Sequence, residues 1–171
     1  MADTKNHNGT NHNGPKTYSI NFVCTGNICR SPMAEVMARQ AIKDAGLATQ
    51  VDIASCGIDG WHVGEGADER TVAELHEIGL DGSDHVAQQF GPPAGDTDLF
   101  IAMDTGHRST LIARGVDENR VALMRSFDPE AEDEPSVADP YYGGVDGFTR
   151  VRKEIEASLP GLIEHIQSQL D

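Results

Sequence analysis

The run Phe22-Val23-Cys24-Thr25-Gly26-Asn27-Ile28-Cys29-Arg30-Ser31-Pro32 sets a thiol and a guanidinium six positions apart, where a short apolar run gives way to a longer amphipathic one. If a strand ends there and a helix begins, the first backbone N–H groups of that helix lack partners, and the helix dipole adds about half a positive charge to them. Such a junction is a ready anion site, suited to a phosphate-sized dianion. With Cys24 opening the loop and Arg30 closing it, a ring of amides can cradle an oxyanion with sulfur beneath it and a guanidinium beside it. The same dipole and charge favour thiolate, the reactive form of cysteine. Arginine suits the place better than lysine because its planar fork grips two oxygens at once. The chemistry implied is in-line attack of sulfur on phosphorus.

A Cys and an Arg at this spacing also occur by chance, with the Cys no more than a buried strand-end residue. The neighbours decide between the two readings. Gly26 allows close backbone approach, Asn27 tolerates a left-handed turn and can hydrogen-bond within the loop, and Ser31 can cap the helix or touch the thiolate. Pro32 fits a first helical turn. Phosphoryl transfer through sulfur also needs an acid for the leaving group and a base for the water that follows, and one carboxyl can serve both steps. Composition alone does not choose among the 28 acidic residues; Asp139 is one candidate, standing before Pro140 in a loop rich in turn residues from which a side chain can reach over a site.

The elements that must position these groups follow from the hydrophobic pattern. Short apolar runs at 18–23, 51–56, 98–103 and 120–124 alternate with amphipathic stretches at 32–45, 67–78 and 106–113. This alternation predicts an α/β fold: a four-stranded parallel twisted sheet with helices on both faces, and the phosphate-binding loop between the first strand and the first helix. Phe148, Val151, Ile155, Leu159, Leu162, Ile166 and Leu170 fall on one face of a C-terminal helix, which Pro160 is expected to kink or break near Ser158.

At 171 residues and 38% hydrophobic content, the chain reads as one domain over 18–171, preceded by a disordered tail over 1–17. His7 and His12 in that tail lack ligand spacing, so no metal is expected. Thirteen basic against 28 acidic residues, a net charge of −15, argues against nucleic acid or an anionic membrane as a partner. No run is long enough to span a bilayer and the opening residues do not read as a signal peptide, so a cytoplasmic location is expected. Three cysteines, all in the first third of the chain, do not form a secreted disulfide framework. Between Arg125 and Arg150 lie Asp128, Glu130, Glu132, Asp133, Glu134, Asp139 and Asp146 with no basic residue; a field of that sign beside a site would favour basic peptides.

The loop Val-Cys-Thr-Gly-Asn-Ile-Cys-Arg-Ser-Pro-Met-Ala-Glu resembles that of the low-molecular-weight protein tyrosine phosphatases, close to actinobacterial members. The resemblance runs from Tyr18 to about Leu170 and recurs in Ser55-Cys56-Gly57, in Trp61-His62-Val63-Gly64 with Asp68 and Arg70, in Met103-Asp104, and in Asp139-Pro140-Tyr141-Tyr142-Gly143. It implies hydrolysis of phosphotyrosine through a cysteinyl-phosphate, with Cys24 as nucleophile, Arg30 as phosphate clamp and Asp139 as acid and base. Thr25, Gly26, Asn27, Ile28, Cys29 and Ser31 would line the cradle, while Trp61 and Tyr141 would wall a slot for a phenyl ring with Tyr142 at its rim. Ser55 and Asp104 would support the loop, Cys29 would pair reversibly with Cys24, and a tyrosine kinase would act on Tyr141 or Tyr142. His107 stands where many members have Asn; His62, His76 and His85 are expected to be surface or satisfied core residues.

The resemblance further implies a monomer without cofactor that takes phosphotyrosine proteins or peptides and releases inorganic phosphate. A phosphoarginine phosphatase, an arsenate reductase and a phospho-binding module without turnover are the alternatives. Ile28 and Tyr141 weigh against the first, the absence of cysteine after Cys56 against the second, and intact Cys24, Arg30 and Asp139 against the third.

Overall fold

The computed structural model describes residues 17–91, 96–131 and 135–171. The tail expected over 1–17, with His7 and His12, lies outside the described residues except for Thr17, as do Glu132, Asp133 and Glu134 of the acidic loop. Four strands, β1 (Tyr18–Cys24), β2 (Val51–Gly57), β3 (Leu99–Ala102) and β4 (Val121–Leu123), form one sheet in the order β2-β1-β3-β4. All three pairings are parallel, with Cys24 opposite Gly57 and Val23 opposite Ala102. The four expected strands are all present, each within two residues of its predicted ends.

Side chains of β1 alternate between two cores, as the period of two demands. Ile20, Phe22 and Cys24 pack with α1 (Arg30–Asp44), α2 (Glu69–Glu77) and α4 (Val145–Leu170) on one face. Val23 packs with Phe100, Ala102 and Leu111 of α3 (Thr105–Ala113) on the other. Because both faces are covered, the strands read as nearly continuous apolar runs. On α1 the buried residues Met33, Ala34, Met37, Ala38 and Ile42 recur at three and four, which seats that helix against β1 and β2.

α4 corrects one expectation. It runs unbroken for 26 residues, with Pro160 inside it. Proline in a helix interior costs about 3 kcal/mol. The residues on both sides of it, Ile155, Leu162 and Ile166, are fully buried, and each apolar side chain so placed contributes about 1.5–3 kcal/mol, so the packing outweighs the lost hydrogen bond. Ser158, also buried, turns its hydroxyl back to the Glu154 carbonyl at 2.9 Å.

The chain leaves β1 for β2 on one side and then crosses to β3 on the other, so the C-terminal ends of β1 and β3 flank a topological switch point. Ligands of open parallel sheets bind in that crevice. Cys24 is the last residue of β1, and Met103-Asp104 follows directly on β3. The 3₁₀ turn Met124–Phe127 packs against α4 so closely that a Cβ on Gly161 would lie 2.2 Å from the Phe127 carbonyl oxygen. Gly161→Ala is therefore expected to destabilise the fold by about 1–3 kcal/mol, measured as a lower urea midpoint with an unchanged slope.

Candidate active site

The loop between β1 and α1 turns at Asn27, whose φ of 59° lies in the left-handed region. Its side chain is what holds that turn. Asn27 Nδ2 donates to Ser31 Oγ at 2.8 Å and to Ser55 Oγ at 2.9 Å, using both amide protons. Asn27 Oδ1 accepts from the Gln88 backbone N–H at 2.9 Å, and the Asn27 carbonyl oxygen lies 2.7 Å from His85 Nε2. Ser55 passes its own proton to Glu35 Oε1 at 2.5 Å. Since Ser31 Oγ accepts from Asn27, it can turn its proton to Cys24 Sγ, 3.0 Å away, with the Cys56 carbonyl a more distant acceptor at 3.5 Å. Ser31 therefore touches the sulfur and caps nothing: α1 begins after Cys29 with no side-chain cap, which leaves its first amides for an anion.

Arg30, the first residue of α1, is only 2% exposed. One terminal nitrogen donates to Asp104 Oδ2 at 3.0 Å and to the Val137 carbonyl at 2.9 Å. The other donates to Thr25 Oγ1 at 3.3 Å and lies 3.6 Å from Asp139 Oδ2. Asp104 caps α3 by accepting the His107 N–H at 2.9 Å. Burial alone would raise its pKa, but that hydrogen bond, the neighbouring His107 and the Arg30 guanidinium outweigh it and hold the carboxyl below the usual carboxylate range. His107 Nε2 lies 2.8 Å from Thr25 Oγ1.

Asp139 stands at the mouth, its Oδ1 accepting the Tyr141 N–H at 3.0 Å. Its loop is fastened by Arg70, which donates to the carbonyls of Tyr141 at 3.2 Å and Gly143 at 3.3 Å, and stacks 4.4 Å over the Phe148 ring. Asp68 fixes the guanidinium with two bonds of 2.9 Å, and this pairing holds the Asp68 carboxyl below its ordinary pKa. The cavity over Cys24 measures about 230 Å³. Thr25, Gly26, Ile28, Cys29 and Arg30 form its floor with Cys24, and Asp59, Trp61, His62, Asp139, Tyr141 and Tyr142 surround it. Trp61 and Tyr142 are highly exposed, and Tyr141 sits edge-on to Tyr142 at 4.9 Å.

The structure thus gathers Cys24, Arg30, Asp139, Thr25, Gly26, Ile28, Cys29 and all three aromatics at one crevice, while Asn27 and Ser31, expected to line it, are fully buried and brace the loop from behind with Ser55 and Asp104. Cys24, Cys29 and Cys56 are free thiols. Burial pushes Cys29 and Cys56 up to about 12 and keeps both as thiols. Residues that sequence reasoning passed over also meet here: His85 and Gln88 hold Asn27, the Val137 carbonyl holds Arg30, and Asp59 joins the wall. Most of these act through backbone groups or across long sequence separations, and no local spacing marks them. The ring of His62 lies over Gly26, where a Cβ would meet it at 3.0 Å, so a side chain there would have to push the imidazole aside.

A thiol and a buried guanidinium around an amide cradle, at the switch point of a parallel sheet, define a cysteine-dependent enzyme that handles phosphate-like oxyanions. The family model for low molecular weight phosphotyrosine protein phosphatase matches residues 19–171. The chain is 46% identical to a low molecular weight protein-tyrosine-phosphatase of Streptomyces coelicolor, over 91% of this chain and 97% of that one. It is 43% identical to low molecular weight protein-tyrosine phosphatase A of Mycobacterium tuberculosis, over 88% and 93%. Its fold is similar to the crystal structure of YfkJ from Bacillus subtilis, with a TM-score of 0.85 at 30% identity over 93% and 99% of the two chains. A protein tyrosine phosphatase from Entamoeba histolytica gives a TM-score of 0.84 at 28% identity, over 90% and 99%. The chain belongs to the low molecular weight phosphotyrosine protein phosphatase family and has that family's catalytic fold.

Gly57 lies directly behind the cradle. A Cβ there would stand 2.8 Å from the Thr25 carbonyl oxygen, 2.9 Å from Gly26 C and 3.0 Å from Asn27 N, all of them backbone atoms that cannot swing aside. Gly57→Ala is expected to displace the loop and lower kcat/KM at least tenfold, while the far-ultraviolet circular dichroism spectrum stays that of the parent.

Proposed function

We propose that this protein hydrolyses phosphotyrosine in proteins or peptides by two successive transfers at phosphorus. The observation that carries the reading is that the Cys24 sulfur, the Arg30 guanidinium and the Asp139 carboxyl open onto one cavity, with Arg30 3.6 Å from Asp139. In the first transfer Cys24 Sγ attacks phosphorus, the bond to the tyrosine oxygen breaks, and Asp139 gives that oxygen its proton. Arg30 and the loop amides hold the equatorial oxygens, where charge is spread in the transition state. In the second transfer water gives its proton to Asp139 and attacks phosphorus, the S–P bond breaks, and inorganic phosphate leaves. The Ser31 hydroxyl at 3.0 Å supports the sulfur as a thiolate before attack and after departure.

Trp61 and Tyr141 support the choice of an aryl phosphate. They offer flat apolar walls above a deep floor, which a phenyl ring fills and a shorter phosphoserine side chain does not. Tyr142, 89% exposed, is open to a tyrosine kinase, and Tyr141 beside it is partly so. We read the chain as a monomer acting in the cytoplasm without a cofactor; none of its described helices is long and apolar enough to cross a membrane.

Phosphate release from matched phosphotyrosine, phosphoserine and phosphoarginine substrates tests the reading. Turnover of the phosphotyrosine substrate, abolished by Cys24→Ser and lowered about 100-fold or more by Asp139→Asn, is the expected result. Preference for phosphoarginine would keep the fold and overturn the specificity.

A further inference from the structure

Thr25, Arg30, Asp104 and His107 close a ring in which each member touches the next. Arg30 donates to Thr25 Oγ1 at 3.3 Å and to Asp104 Oδ2 at 3.0 Å; Asp104 Oδ1 accepts the His107 N–H at 2.9 Å; His107 Nε2 meets Thr25 Oγ1 at 2.8 Å. Arg30 can only donate, so Thr25 accepts from it and has a single proton left to place. Where that proton goes depends on the tautomer of His107.

The other ring nitrogen settles the question. His107 Nδ1 lies 3.2 Å from Asp104 Oδ1, out of line for a hydrogen bond and buried without another partner among the described residues. A bare lone pair at that place would face a carboxylate oxygen, whereas an N–H there is attracted to it. Nδ1 therefore bears the proton, Nε2 is bare, and the Thr25 hydroxyl donates to Nε2. The oxygen of Thr25 then turns its negative end toward the Arg30 nitrogen that faces Asp139 and the phosphate site.

We infer that neutral His107, acting through the Thr25 hydroxyl, is a positioning residue for Arg30: it aims the guanidinium at the phosphoryl group. This rests on the phosphatase reading above. Four charged groups act on the imidazole: Arg30 from α1, Asp104 from the start of its own helix, Asp139 from the acid loop and Asp59 from the loop after β2. Burial first, then the Arg30 charge, hold it down to about 4 against the three carboxylates, so the ring is neutral wherever Arg30 has to work.

Two measurements test this. Nitrogen-15 spectra of the intact protein, with the His107 signals assigned by their loss in His107→Gln, should show Nδ1 protonated and Nε2 bare from about pH 5.5 to 8. A proton on Nε2 in that range would overturn the inference. In the second, Thr25→Val and His107→Leu should each lower kcat/KM for an aryl phosphate about tenfold, mainly through kcat. The double variant should be no worse than either single one, because the two side chains act as a unit. His107→Gln can still accept from Thr25 and should recover activity to within about threefold of the parent.

Losses that multiply in the double variant, or a His107→Gln as poor as His107→Leu, would overturn the inference. Should His107→Leu fold poorly, Thr25→Val is near-isosteric and carries the comparison with His107→Gln. Absence of turnover in the unmodified protein would count against the phosphatase reading instead, and the nitrogen spectra would still decide the placement of the proton.

Discussion

A guanidinium that is 98% buried has to be surrounded by acceptors, and the arrangement of the site follows from that requirement. Arg30 finds its acceptors on three separate parts of the chain: Thr25 in the loop that precedes it, Asp104 at the end of β3, and the Val137 carbonyl in the segment that leads to Asp139. Satisfying one buried charge therefore draws the phosphate loop, the switch point of the sheet and the acid loop to one place. Asp104 supplies the matching charge: against burial, the His107 backbone N–H and ring and then the Arg30 guanidinium hold its carboxyl below the usual range.

Around this charge the loop is held by a network of hydrogen bonds. Asn27 occupies a left-handed conformation that few residues tolerate, and it is kept there by Ser31, Ser55, Gln88 and His85. Rigid amides are what an oxyanion site needs, because dipoles that are already oriented do not reorganise during the reaction. They also explain how a chain of net charge −15 can hold a dianion. The attraction is local, fixed and short in range, while the protein as a whole offers such a ligand no long-range steering.

The strands and the phosphate loop were legible in the sequence because each is coded locally. Apolar runs mark β1 to β4, and the Cys24 to Pro32 string carries the proposed nucleophile, the turn former, the proposed clamp and the helix start within nine positions. The resemblance extended that reading to Asp139, Trp61 and Tyr141. The supports of the loop were less legible. His85 and Gln88 lie 58 and 61 positions from Asn27, and Arg30 is 107 positions from Val137. The Val137 contact uses a backbone carbonyl, which every residue has and which leaves no mark on residue type. Pro160 shows the same limit: a local rule predicts a kink or a break, and the break does not occur because the side chains buried on both sides of it are held by tertiary packing.

If Cys24 accepts the phosphoryl group during turnover, a cysteinyl-phosphate can be trapped. A turnover mixture with a phosphotyrosine peptide would be quenched within milliseconds, and the fragment that carries Cys24 examined by tandem mass spectrometry. A phosphoryl group on the Cys24 sulfur is the expected result. Turnover with no phosphoryl group on that sulfur, or with one carried by a histidine such as His62, would contradict it.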